Sequence, residues 1–294
     1  MRTLLLASLL LSLATAQEKP SPVMHGELDE KAFAALHQLK QDKPPAPTGT
    51  MVKIGEHSHY LALPKGKQAP FPAVVVVHEW WGLNDHIKHW ADRLAELGYA
   101  ALAVDLYEGK NAKTPEEAGA AMKAVDPAKA KATMQAAFAF LGEDARIKAT
   151  KRASIGWCFG GAWSLQLAIN EPKLDACVIY YGRLVEDKAE LQKIQAPVLG
   201  VFGSRDRSIP EAKVAAFEAA LQEAKKDVKV LRYDAEHAFA NPSGARYDAN
   251  NAAAAWAEVK AFLQARLGGA PARVVPPLPA PGSGAGAGEK KKGS

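Results

Sequence analysis

From residue 50 onward, short apolar runs rich in Val, Ile, Leu and Ala recur between longer stretches in which apolar residues return every three or four positions. The first pattern predicts strands and the second amphipathic helices. Residues 51–54 and 58–63 predict a pair of strands ahead of the main series. Ala73-Val-Val-Val-Val77 is continuously β-branched, as a strand buried on both faces must be. Further strands are predicted at 100–104, 152–157, 176–181, 197–202 and 228–233, and helices at 85–97, 127–141, 160–170, 210–225 and 247–267. Alternation of this kind predicts an α/β fold, a doubly wound, mostly parallel sheet with helices on both faces. Ligands of such a sheet sit at the carboxyl ends of its strands. No internal repeat is visible.

The two ends break this pattern. Met1-Arg-Thr3, the apolar Leu4 to Leu13 and Ala14-Thr-Ala16 form a basic start, an apolar core and a small-x-small site. These are the parts of a secretory signal peptide, with cleavage after Ala16 and a secreted or periplasmic destination. The apolar run is well short of the roughly 20 residues that span a bilayer, so no stable membrane span is expected after cleavage. Residues 17–49 form an extension with one helix, predicted over 27–41, and Pro44-Pro-Ala-Pro47 separates it from the catalytic domain, residues 50–267. Residues 268–294 are rich in Pro, Gly and Ala without a periodic apolar face and read as disordered.

Charge changes the picture little. The formal net charge is +5, but Arg2 lies in the signal, and Arg273, Glu289 and Lys290 to Lys292 together place +3 on the tail. Residues 17–268 therefore carry +1, and no nucleic-acid footprint is expected. A monomer acting on a small molecule is the expected state.

The candidate chemistry begins at Gly156-Trp-Cys-Phe-Gly-Gly161, where a predicted strand turns into a helix. A nucleophile elbow holds its central residue in a strained strand-to-helix turn, which requires near-absent side chains two residues before and two after. Cys158 occupies that centre, at a helix N-terminus that would favour the thiolate. A glycine-rich turn carrying an inert, buried cysteine is the alternative. A nucleophile of this class needs an acid and then a histidine later in the chain, each after a strand. Asp206, after the apolar run 196–203, is the acid, and His237, after 228–233, is the base. Asp105, Asp234 and Glu236 are competing carboxylates.

His78-Glu-Trp-Trp-Gly82 follows the first buried strand. That position supplies the second backbone donor of an oxyanion hole, so the N–H groups of Trp80 and Phe159 are the expected donors. Glu79 is either a surface acid or a proton acceptor for the resting thiol. His57, His59, His86 and His89 lack a cysteine or carboxylate that would complete a metal site and read as surface histidines; no metal is expected. Cys177, inside an apolar run, reads as a core thiol. A redox-reactive thiol protein and a non-catalytic binding protein on the same fold are the competing functions.

Taken together, His78-Glu-Trp-Trp-Gly82, Ala103-Val-Asp-Leu-Tyr107, the Cys158 hexapeptide, Tyr180-Tyr-Gly182, Gly203-Ser-Arg-Asp206 and Glu236-His-Ala-Phe239 resemble the dienelactone hydrolases, or carboxymethylenebutenolidases. These are cysteine hydrolases of the α/β-hydrolase fold. The resemblance covers roughly residues 50–267. It implies Cys158 as nucleophile, His237 as base, Asp206 as its orienting acid, and Glu79 as the group that partners the resting thiol. It implies hydrolysis of an ester or lactone through a thioester, with no cofactor. Two departures bear on substrate. Asn241 stands where the characterised enzymes carry an arginine, and no arginine in the segment directly after Tyr107 matches their second carboxylate grip. Neutral esters or lactones are therefore expected to rival the anionic lactone, with Tyr107, Arg183, Asn241 and Arg246 as substrate contacts. Arg183 and Arg246 are read as solvated at the surface.

Overall fold

The structure is a computed structural model, and it describes residues 30–40 and 43–268. The predicted signal peptide lies outside the described residues, as does the tail beyond Gly268.

Eight strands form one sheet in the order β1-β2-β4-β3-β5-β6-β7-β8. The hairpin β1 (Thr50–Ile54) and β2 (His57–Ala62) turns about Gly55 and joins antiparallel to β4 (Ala100–Val104). All the other pairings, through β3 (Ala73–Val77), β5 (Arg152–Trp157), β6 (Ala176–Tyr180), β7 (Val198–Gly203) and β8 (Val228–Tyr233), are parallel. Every residue of β3 and β4 is buried, which explains why both read as unbroken apolar runs rather than as alternations.

The strand order reverses direction at β3. From β3 the chain moves one way through α2 (Asp85–Glu96) to β4, then returns through α3 (Pro115–Lys123) and α4 (Pro127–Glu143) to β5. It continues through α5 (Phe159–Asn170), α6 (Lys188–Gln192) and α7 (Glu211–Glu223) to β8, and ends in α8 (Ala249–Leu267). Right-handed crossovers taken in opposite directions put their helices on opposite faces. In agreement, Trp90 of α2 meets Trp256 of α8 edge-on at 5.0 Å, while α4 packs on α5. The switch between β3 and β5 is where such sheets open a crevice at their carboxyl ends. Val77 lies level with both Val104 and Gly156, so the three strands deliver their following loops to the same place.

Two short helices, α3 and α6, were not anticipated. Capping forms both: Thr114 and Asp187 accept from the N–H groups of Glu117 and Ala189, and Pro115 opens α3. The extension differs more. Its helix, α1 (Glu30–Leu36), ends before residues 37–40, which run as a strap: Leu39 bridges Gly244, Lys40 N–H donates to Ser243 at 2.6 Å, and Ala245 N–H donates to Gln38 at 3.0 Å. The chain leaves the helix because its backbone groups find partners on another loop.

Candidate active site

Cys158 sits between β5 and α5 with φ of 53° and ψ of −114°, a strained conformation for a residue with a side chain. The flanking glycines make it possible. A Cβ on Gly156 would lie 2.1 Å from the Gly160 carbonyl oxygen, and one on Gly160 would lie 2.2 Å from that of Val77. The Cys158 N–H is anchored to the Tyr180 carbonyl at 3.0 Å.

His237 follows β8 and donates Nδ1–H to Asp206 Oδ2 at 2.7 Å. Asp206 follows β7, and its other oxygen accepts the N–H groups of Ser208 and Ile209 at 2.7 and 2.9 Å, which fixes the carboxylate and hence the imidazole. Both residues are buried. A ring nitrogen of His237 and the Cys158 sulfur lie within 4.8 Å of each other. Because Asp206 can only accept, Nδ1 carries the ring proton and Nε2 presents its lone pair. Buried Nε2 has no hydrogen-bond partner among the described residues. The competing carboxylates are elsewhere: Asp105 ties down the N–H groups of Tyr107 and Gly109, Asp234 is exposed beside Arg205, and Glu236 is exposed.

Glu79 is buried, not a surface acid. Its carboxyl oxygens are held by the Tyr181 hydroxyl at 3.4 Å and by the Asn241 amide. Burial raises its pKa to about 8, against the pull of those two bonds and of the Arg246 charge, so the group is predominantly neutral at pH 7. The Cys158 thiol is pushed upward, first by burial and then by the Glu79 charge; the Phe159 N–H, which bonds toward the sulfur, and Arg246 act in the opposite direction. The expected lowering at the helix N-terminus is thus outweighed in the resting site. A neutral Glu79 removes one of the two main penalties on the thiolate.

Four expectations change. The Asn241 amide is engaged within the protein: its NH₂ donates to Glu79, and its oxygen accepts from the Ser243 N–H at 2.8 Å and hydroxyl at 2.6 Å. Arg246 is half-buried and within electrostatic reach of Cys158, Glu79 and Asp206, so it belongs to the site rather than to the surface. His59 is fully buried, accepts the Asp105 N–H at 3.0 Å, and is held neutral by burial, its pKa lowered to about 4. His57, His86 and His89 are partly buried rather than solvated. Arg183, in contrast, is exposed at the cleft, and Tyr107 is buried against Phe159 with ring centroids 5.2 Å apart. Trp80 is buried at the end of β3, its ring edge-on to Phe33 at 5.0 Å.

Cys158 and His237 open on a cleft of about 1200 Å³, lined also by Phe33, Phe159, Trp163 and Tyr181. Phe33, from α1, and His37, from the strap, were missed in the sequence. Their rings stack at 3.9 Å and lie 5.7 and 5.3 Å from the His237 ring, so the extension covers His237. Tyr181, missed as a site residue, has φ of 35° and ring contact with His237 at 5.2 Å. Both cysteines are free; Cys177 is in the core, its sulfur 3.5 Å from the Ser164 hydroxyl.

With this geometry in place, comparisons with known proteins converge. The family model described as "Dienelactone hydrolase family" matches residues 58–267. A protein of Saccharolobus solfataricus, named for a predicted carboxymethylenebutenolidase activity, is 33% identical over 242 residues, covering 70% of this chain and 92% of its own. Protein usf of Aquifex pyrophilus is 34% identical over 216 residues, covering 70% and 91%. Among solved structures, a dienelactone hydrolase-like promiscuous phosphotriesterase from metagenomic libraries superposes with a TM-score of 0.68 at 30% identity, covering 75% and 98%.

Proposed function

The chain belongs to the dienelactone hydrolase family of the α/β-hydrolase superfamily, and from that premise we propose that it is a cysteine hydrolase of small esters or lactones, exported by residues 1–16. The observation that carries the reading is the Cys158 elbow, facing the Asp206-held imidazole of His237 at the floor of the cleft. In the reaction, His237 Nε2 takes the Cys158 proton as sulfur attacks the carbonyl carbon, forming the C–S bond. The oxyanion is held by the N–H groups of Phe159 and Trp80. Imidazolium His237, stabilised by Asp206, returns the proton to the leaving alkoxide as the C–O bond breaks, giving a thioester. Water, deprotonated by the same Nε2, then releases the acid and restores the thiol.

Glu79 assists by staying neutral. A carboxylate beside the sulfur would oppose thiolate formation, and burial keeps the proton on Glu79 until pH approaches about 8. Arg246 adds a positive charge on the same side, which favours both the thiolate and a substrate with a negative group near the scissile bond. It supplies from the histidine loop the cation that Asn241 does not.

The test is turnover of p-nitrophenyl acetate and of a small lactone under reducing conditions, with Cys158→Ala alongside. Burst release of p-nitrophenol and an acyl adduct on Cys158 by mass spectrometry are expected. Undiminished activity in Cys158→Ala would overturn the assignment.

A further inference from the structure

We propose that the thiol site is also a binding site for a zinc-like divalent cation, formed by Cys158, His237 and the strap residue His37, which no family motif includes. One ligand atom from each lies within 4.8 Å of the other two, and all three residues are buried. Both rings are pre-set for ligation. His37 Nδ1–H donates to the Phe33 carbonyl at 2.9 Å, as His237 Nδ1–H donates to Asp206 at 2.7 Å. Acceptors without a proton of their own oblige Nδ1 to carry it, so each imidazole presents the Nε2 lone pair. Orientation of a ligating histidine by a carbonyl or carboxylate on its other nitrogen is the arrangement found at zinc centres.

The donor set selects the cation class. One thiolate and two neutral imidazoles suit a borderline-soft metal in tetrahedral coordination, with a fourth position left for water, and not a hard cation such as Mg²⁺ or Ca²⁺. Bond lengths of about 2.3 Å to sulfur and 2.0–2.1 Å to nitrogen place ligand atoms roughly 3.3–3.6 Å apart. The present separations between the sulfur and one ring nitrogen of each histidine, at most 4.8 Å, must close by up to about 1.5 Å. Closure would require His37 to shift with the strap, whose described backbone restraints are the Leu39–Gly244 bridge and its flanking bonds to the loop at 243–245, and whose His37 ring packs on Phe33 and Trp80. On binding, the Cys158 S–H bond is replaced by a sulfur–metal bond and one proton is released to solvent. The charged and titratable groups facing the site among the described residues are Glu79, Asp206, Tyr107, Tyr181 and Arg246. Arg246 opposes the cation, and Asp206 offsets it through His237.

Occupation would engage both the nucleophile and the base, so the cation acts as a reversible inhibitor whose grip depends on the extension. Residues 58–267 carry the family match, and His37 lies outside them. A Cys–His pair alone supplies two ligands; the strap adds the third.

The inference rests on the same thiol and imidazole as the hydrolase reading, but it can be read without turnover. Reduced, metal-free protein is titrated with Co²⁺, and Zn²⁺ then displaces it. One equivalent should produce a thiolate-to-cobalt charge-transfer band in the near ultraviolet and intense tetrahedral bands in the visible. Cys158→Ala should lose the charge-transfer band. His37→Ala and His37→Phe should each weaken Zn²⁺ at least tenfold; the Phe variant retains an aromatic ring against Phe33 and Trp80, and circular dichroism verifies the fold. In parallel, Zn²⁺ should inhibit p-nitrophenyl acetate hydrolysis, reversibly with EDTA, and at least tenfold less potently in His37→Phe. Absence of the cobalt band in the unmodified protein, or equal Zn²⁺ affinity in both folded His37 variants, would overturn the proposal. Cobalt binding without ester hydrolysis would sink the hydrolase reading and leave this one standing, and hydrolysis without cobalt binding would do the reverse.

Discussion

Glu79→Gln tests whether a buried carboxyl is held neutral beside the nucleophile. The ordinary pKa of a glutamic acid here is 4.5, and burial raises that of Glu79 to about 8. Between those values the folded protein holds a proton that the unfolded chain has released, so stability must fall as pH rises. The favourable term is fully present below pH 4.5 and is lost as pH passes through about 8. From pH 6 to pH 9 the loss integrates to roughly 2–3 kcal/mol. A glutamine in place of Glu79 copies the neutral acid: its oxygen accepts from Asn241, and its NH₂ donates to the Tyr181 hydroxyl, which is able to accept. It has no proton to lose in this range.

The measurement is urea unfolding of Cys158→Ala and of Cys158→Ala with Glu79→Gln, at pH 6 and pH 9. The alanine removes the titrating thiol from both proteins, and every other group cancels in the comparison. The glutamine protein should gain on its parent by roughly 2–3 kcal/mol in going from pH 6 to pH 9. Stability curves that stay parallel across this range would refute the reasoning, because they would mean that Glu79 ionises as easily folded as unfolded.

Cys158→Ala and His237→Ala should each lower esterase kcat/KM by about 10³-fold or more while leaving urea unfolding cooperative. Gly160→Ala drives a Cβ to within 2.2 Å of the Val77 carbonyl oxygen, and should destabilise by about 3 kcal/mol or more, seen as a lowered Tm. Arg246→Ala should reduce kcat/KM for an anionic lactone about tenfold or more beyond any loss with p-nitrophenyl acetate; equal losses would show that its charge does not meet the substrate. Iodoacetamide alkylation of Cys158 should show an apparent pKa above the ordinary thiol value of about 8.5, reflecting burial; a value below it would show that the helix N-terminus wins.

Most of the sheet was legible because its strands satisfy two constraints at once. Ala73–Val77 and Ala100–Val104 are buried on both faces, so no polar residue interrupts them. The meeting of the proposed triad residues was legible for a related reason: a parallel sheet places each loop directly after a strand, so order along the chain encodes position in space. Cys158, Asp206 and His237 follow β5, β7 and β8. α3 and α6 escaped because each is short and held by its cap rather than by a periodic apolar face, burying only Ala118 and Leu191 respectively.

What stayed hidden depends on contacts between segments far apart in the chain. Asn241 looks like a lost arginine in a one-dimensional comparison. In space its amide holds Glu79, 162 residues away, and the arginine within electrostatic reach of Cys158 and Glu79 is Arg246. Nothing in the local pattern could reveal this, because side-chain charge at a turn is the same whether it faces solvent or a nucleophile. The strap is the stronger case. Phe33 and His37 are one helical turn apart, spacing that equally suits an isolated amphipathic helix. Their burial over His237 is decided by backbone bonds to residues 243–245, more than 200 positions downstream. The segment least informative as sequence thus packs over His237, one of the residues most informative as sequence, and brings Phe33 into the lining of the cleft that holds Cys158.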